Sequence, residues 1–120
     1  EKEPELAAQF KRAVFDRKLP ENWCDALPKV TPEDKGKATR LHSQDCLNAI
    51  ANELPEFMGG SADLAPSNMT LMKCTGDFLK DSYGERNMRF GIREFGMGAV
   101  CNALSLDKTG IIPYCATFTI

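Results

Sequence analysis

The chain has 120 residues, 42% hydrophobic and 27% charged, with a formal net charge of −2. That size suits one small domain or part of a larger one, and the charge balance gives no electrostatic case for nucleic acid or an acidic membrane surface. No apolar run approaches the ~20 residues of a membrane span, and the opening EKEPELAAQF lacks the apolar stretch of a secretory signal.

Residues 1 to about 38 read as an approach segment. Leu6, Phe10 and Val14 fall at i, i+4 and i+8, one apolar stripe on a helix. Pro20, Pro28 and Pro32 then break regular structure, leaving a linker with Trp23 and Leu27 as its anchors. From Thr39 a helix is expected with Leu47, Ile50 and Leu54 on one face, ended by Pro55. A short strand over Glu56 to Met58 follows, then a glycine turn at Gly59-Gly60 and a polar, turn-rich loop. Next come a strand over Met88 to Ile92, a helix over Glu94 to Leu106, and a last strand in GIIPYCATFTI. This order predicts an α/β layer built on a parallel sheet. Ile120 falls inside an apolar strand pattern, which leads us to expect a piece of a longer polypeptide.

Cys24, Cys46, Cys74, Cys101 and Cys115 are odd in number and scattered, without a CxxC pair or zinc-site spacing. Reduced thiols are expected, with Cys46, Cys101 and Cys115 buried in apolar surroundings.

Two constellations carry candidate chemistry. Glu94 stands where a strand hands over to an almost wholly apolar helix, and functional residues of open α/β sheets gather beyond the carboxyl ends of the strands. The apolar residues of that helix cover more than one face, so burial on most sides is expected. Gly96 and Gly98 would let another backbone or a flat ligand come close. A glutamate in a first helical turn is also favoured by the helix dipole, by about 0.3–1 kcal/mol, with Arg93 as a neutralising neighbour. The alternative is a carboxyl in a dry pocket, shifted toward its neutral form and able to share a proton with a ring nitrogen. The second constellation is GGSADLAPSN. Its glycines would bring amides near a ligand, and Asp63, Ser67 and Asn68 are its polar groups; a plain turn with Ser67 as helix cap serves equally well. Neither GxGxxG nor GK[ST] is present.

GGSADLAPSNMT, RNMRFGIREFGMGAVCNALSL and IIPYCATF, in that order, resemble the pyrimidine-binding domain of transketolase, with SNMTLMK, GDFLKD and IPYCATF closest to the plant enzymes. The resemblance implies the thiamine-diphosphate-binding fold, a parallel sheet flanked by helices and present here as a partial domain. Residues 1–38 would be an interdomain linker segment and 39–120 the truncated N-terminal part of the domain. It implies transfer of a two-carbon ketol unit from a ketose phosphate, such as xylulose 5-phosphate, to an aldose phosphate. In this picture Glu94 hydrogen-bonds the aminopyrimidine ring nitrogen of thiamine diphosphate and favours its imino tautomer, whose exocyclic nitrogen takes the thiazolium proton. Asp63 lies near the cofactor and the dimer interface, and Phe118 is an aromatic beside the aminopyrimidine. Arg40 and Ser67 contact the substrate phosphate.

Mg2+ or another divalent cation, with the diphosphate, would be held by a separate domain carrying a GDG-type motif, so no metal ligand is expected here. The active site would be shared between two subunits of a homodimer, and the principal stacking aromatic would lie just past Ile120. Plant-like features imply the plastid stroma of the chloroplast and the reductive pentose phosphate (Calvin) cycle, or otherwise the cytoplasm. Phe95 departs from the family by replacing a histidine, and His42, the one histidine, is expected to take no part in catalysis. Dihydroxyacetone synthase, which takes formaldehyde as acceptor, shares much of this motif set. A catalytically silent transketolase-like binding protein is the alternative of another class.

Overall fold

The computed structural model describes residues 3–118. The approach segment forms α1 (Pro4–Phe10), a wider helical turn over Lys11–Asp16, and a 3-10 turn over Trp23–Ala26. Its expected apolar stripe does not become core: Leu6 and Phe10 stay exposed. The reason is that α1 packs on the turn that follows it, where Phe10 and Phe15 meet edge to face at 5.6 Å. The segment is fastened to the sheet by charge instead. Arg12 donates from Nη1 and Nη2 to the two carboxylate oxygens of Glu56, at 2.8 and 3.0 Å, and Glu56 has lost nearly all its solvent. Trp23 and Leu27 are half-buried, and the 3-10 turn between them packs on the next helix.

That helix, α2 (Thr39–Glu53), leads through three residues into β1 (Phe57–Ser61). The expected strand at Glu56 to Met58 begins one residue later and runs through both glycines. Strands β2 (Asn87–Arg89) and β3 (Ile112–Ala116) flank β1, all parallel, in the order β2-β1-β3. Gly59 and Gly60 are therefore not a ligand-binding turn; they pair with Asn87 and Met88 on one side and Tyr114 and Cys115 on the other. A Cβ on Gly60 would sit 1.9 Å from the Met88 carbonyl oxygen, and one on Gly59 2.0 Å from that of Tyr114. The central strand carries glycine because its neighbours close on it from both sides.

One face of the sheet is covered by α2. Leu47, Ala51 and Met72 are buried there, with Phe57 and Tyr114 packed against them and stacked on each other at 4.8 Å. The other face belongs to α4 (Glu94–Leu106), which the sequence places at both ends. Met97 and Cys101 are its buried residues. The expectation of burial on most sides fails: Phe95 is 94% exposed, Leu106 is exposed, and nothing lies within 4 Å of a Cβ placed on Gly98. One side of α4 meets the sheet, and no element among the described residues covers the rest. The last strand stops at Ala116; the final two residues of the expected strand lie outside the described residues.

Arg86 orients α2. Its Nη1 donates to the Leu54 carbonyl at 2.8 Å and its Nη2 to that of Ala51 at 3.1 Å. This cation satisfies the last carbonyls of α2 just before β2 begins. The carboxyl end of α2 thus lies at the amino ends of the strands, and its first turn, with Arg40, lies toward their carboxyl ends. No helix among the described residues is long and apolar enough to cross a membrane.

Candidate active site

Asp63, Ser67, Glu94 and Phe118 all follow the carboxyl ends of strands. Asp63 and Ser67 come after β1, Glu94 after β2 and Phe118 after β3. Because β1 is central and the chain crosses it to pass from β2 to β3, this edge is a topological switch point, where open sheets bind ligands. Glu94 and Phe118 leave from strands two positions apart, about 10 Å at the usual interstrand spacing.

The exit of β1 is held rigidly. Asn68 Nδ2 donates to Ser61 Oγ at 2.7 Å, Thr70 Oγ1 donates to Asn68 Oδ1 at 2.6 Å, and Tyr114 donates its hydroxyl to the Thr70 carbonyl at 2.8 Å. Ser61, Asn68 and Thr70 are buried, so this chain satisfies polar groups that water cannot reach. Burial pushes the Tyr114 hydroxyl up to about 12, keeping it a neutral donor. Asn68, a candidate for ligand contact from sequence, is committed to this network. Ser67 is left exposed within the short helix α3 (Ala65–Asn68), and it does not cap: the residue before the helix is Leu64, with no side-chain cap bond. Asp63 is exposed in a left-handed conformation with φ 63°, its amide donating to the Ser61 carbonyl at 3.0 Å. The sequence held no periodic signal for Ser61 or Thr70, since the network links residues by a turn rather than by a helical or strand repeat.

The exit of β2 turns at Gly91, φ 65°. The Arg93 amide donates to the Gly91 carbonyl at 2.8 Å, and Arg93 Nη1 folds back to the Phe90 carbonyl at 3.1 Å. Arg93 is thus spent on its own turn and does not neutralise Glu94. The Glu94 side chain takes part in no ion pair or hydrogen bond among the described residues. The expected dry pocket around it is absent: Glu94 is exposed, as are its neighbours Ile92 and Phe95. The carboxylate stands at the rim of the sheet, and the described residues supply only the floor beneath it. Phe118 is likewise 44% exposed.

Arg40 lies exposed in the first turn of α2 and enters no ion pair among the described residues. His42, two residues further along α2, is half-buried. Cys101 is buried as expected, but Cys46 is only half-buried and Cys115 is exposed, because β3 is an edge strand that α4 covers incompletely. All five thiols are free. Among the described residues no group of three or more His, Cys, Asp or Glu side chains is placed to hold a metal ion.

Comparison with known proteins matches residues 35–120 to the family described as "Transketolase, pyrimidine binding domain". The chloroplastic transketolase of Zea mays is 59% identical over 109 residues, covering 91% of this chain. Transketolase-1, chloroplastic, of Arabidopsis thaliana is 56% identical over 119 residues, covering 99%. A crystal structure of transketolase from Pichia stipitis, in complex with sedoheptulose 7-phosphate, superposes with a TM-score of 0.93 at 45% identity over 98% of this chain. The chain spans 16% of the length of each of the two plant relatives and 18% of the Pichia chain.

Proposed function

The chain belongs to the transketolase family, through its pyrimidine-binding domain, and from that membership we propose that the full-length protein is a thiamine-diphosphate-dependent ketol transferase. It moves a two-carbon unit from a ketose phosphate such as xylulose 5-phosphate to an aldose phosphate. The observation that carries this reading is Glu94: an unpartnered carboxylate at the switch-point edge of a parallel sheet, beside apolar side chains, in a chain of this family.

The residues present fit the aminopyrimidine end of the coenzyme. Glu94 offers a carboxyl to a ring nitrogen, and Phe118 offers a ring face from the far strand. When bound, the coenzyme supplies an acidic thiazolium carbon and an electron sink. Glu94 Oε holds the proton shared with the pyrimidine nitrogen, and the stiff β1 exit sets the position of Asp63 beside it. Arg40 and Ser67 bind the substrate phosphate, the arginine as a forked donor; the sugar phosphate carried by the Pichia relative suits that role. Mg2+ and the diphosphate belong to a domain outside these residues.

Residues 1–38 are the linker that reaches this domain, and 39–120 its N-terminal part. The open side of α4, with Phe95 and Gly98, packs against a second subunit in a homodimer, which closes water out around Glu94 and strengthens its hydrogen bond. Two relatives named as chloroplastic support a place in the plastid stroma and the Calvin cycle.

The test is Glu94→Gln in the full-length protein, assayed with xylulose 5-phosphate and ribose 5-phosphate. Turnover is expected to fall a hundredfold or more, in line with losing a positioned proton-transfer partner, while circular dichroism and melting temperature stay unchanged. A variant that keeps most of its rate refutes the assignment.

A further inference from the structure

Cys101 lies on the side of α4 that faces the sheet, and Cys115 is the penultimate residue of β3. Side chains alternate along a strand. Tyr114 is packed on the α2 face, so Cys115 projects from the opposite face, the one α4 covers. Cys101 Sγ donates to the Tyr114 carbonyl at 3.7 Å, which places it directly over that part of β3. Cys101 is buried, whereas Cys115 opens to solvent. Thirteen residues lie between two cysteines that the fold brings to the same helix–strand seam, although the sequence shows no CxxC.

We propose that Cys101 and Cys115 form a reversible dithiol–disulfide pair that ties α4 to β3. Cys115, being accessible, loses its proton and attacks one sulfur of a small-molecule disulfide, forming a mixed disulfide and releasing one thiolate. Cys101 then loses its proton and attacks the Cys115 sulfur, releasing the second. Two protein thiols and one external disulfide become one protein disulfide and two external thiols. Two electrons pass to the external disulfide, and the reverse exchange with a dithiol restores the pair. The Cys101 thiol is held above the ordinary thiol range by its burial and by the neighbouring Cys115 thiol. It is therefore suited to the second, resolving step rather than the first.

The consequence reaches the catalytic edge, and this part rests on the function proposed above. Glu94 begins the helix that holds Cys101, and Phe118 follows Cys115 by three residues. Bonding the two sulfurs fixes α4 to β3 and resets the position of one against the other. A displacement of about 1 Å at a reacting centre is enough to cost up to a hundredfold in rate.

The full-length protein, reduced and then equilibrated with oxidised glutathione, is digested without reduction and its peptides are mapped by mass spectrometry. The expected result is one cross-link joining Cys101 to Cys115, reversed by dithiothreitol, with turnover falling at least tenfold in the oxidised form. Cys101→Ser and Cys115→Ser should each lack both the cross-link and the fall; the exposed Cys115 site keeps the test valid if the buried substitution impairs folding. Free Cys101 and Cys115 after oxidation, or glutathione held on Cys115 with Cys101 still free, overturns the pair. A cross-link that leaves turnover unchanged overturns its link to the site. Loss of ketol transfer in the reduced protein would count against the proposed function alone, because the thiol map is read without any activity.

Discussion

Polar side chains at the carboxyl edge of the sheet divide into two groups by what already occupies them. Ser61, Asn68 and Thr70 are buried and spend their donors and acceptors on one another. Arg40, Asp63, Ser67 and Glu94 are exposed, their charged or hydroxyl ends open to solvent. The first group makes the edge stiff, and the second is what a ligand would meet. For Arg40 this leads to a specific expectation. A charge-assisted hydrogen bond contributes about 1.5–3 kcal/mol, which corresponds to roughly 10–150-fold in binding. Arg40→Ala in the full-length protein should raise KM for a ketose phosphate by at least tenfold. KM for an unphosphorylated ketol donor should change by less than a factor of three. Equal losses on both donors would mean that Arg40 does not read the phosphate.

At the scale of elements, β1 is where residue identity is most tightly dictated. Gly60 has the Met88 carbonyl against the place where a side chain would begin. Gly60→Ala therefore requires β1 and β2 to part, at a cost of about 3 kcal/mol or more, the upper range for overpacking. Gly36 has open space around it, and Gly36→Ala should stay within about 0.5 kcal/mol as an ordinary surface change. Urea denaturation of both variants in the full-length protein checks the contrast; equal midpoints would show that β1 is not pinned. The same strand shows what a sequence hides. Two glycines read as a turn because their conformational freedom is visible in one dimension, while the strands that close on them are not. Helix α4 was legible to the residue, since Glu94 at its start and a nearly all-apolar run up to Leu106 mark both ends. How much of α4 would be covered was not legible, because apolar content announces that a face will be buried without saying against which chain. The positions of Asp63, Glu94 and Phe118 at one edge followed from the strand order. The stiffening of that edge by Ser61 and Thr70, and the seating of Cys101 over the part of β3 that carries Cys115, needed the fold.

The molecule as a whole presents an unbalanced surface. Ile92 is 79% exposed, Phe95 94% and Leu106 77%, all on or beside α4. A patch of this kind marks an interaction site, and left uncovered it promotes association. The edge strand β3 also offers a side that no strand among the described residues pairs, open to any strand that approaches. Glu94 in solvent gains none of the strengthening that a low-dielectric surround gives a carboxyl–nitrogen hydrogen bond, and the described residues offer no cluster for a metal ion. Expressed by themselves, these 120 residues should therefore show no ketol transfer above background. They should bind a hydrophobic dye such as ANS and self-associate in a concentration-dependent way under sedimentation. The full-length protein with thiamine diphosphate and Mg2+ should do neither and should turn over substrate. Dye binding that is equally weak in both would mean that α4 needs no partner. Measurable transfer by the 120 residues alone would mean that the carboxyl at the sheet edge requires neither a second subunit nor a diphosphate-holding domain to work.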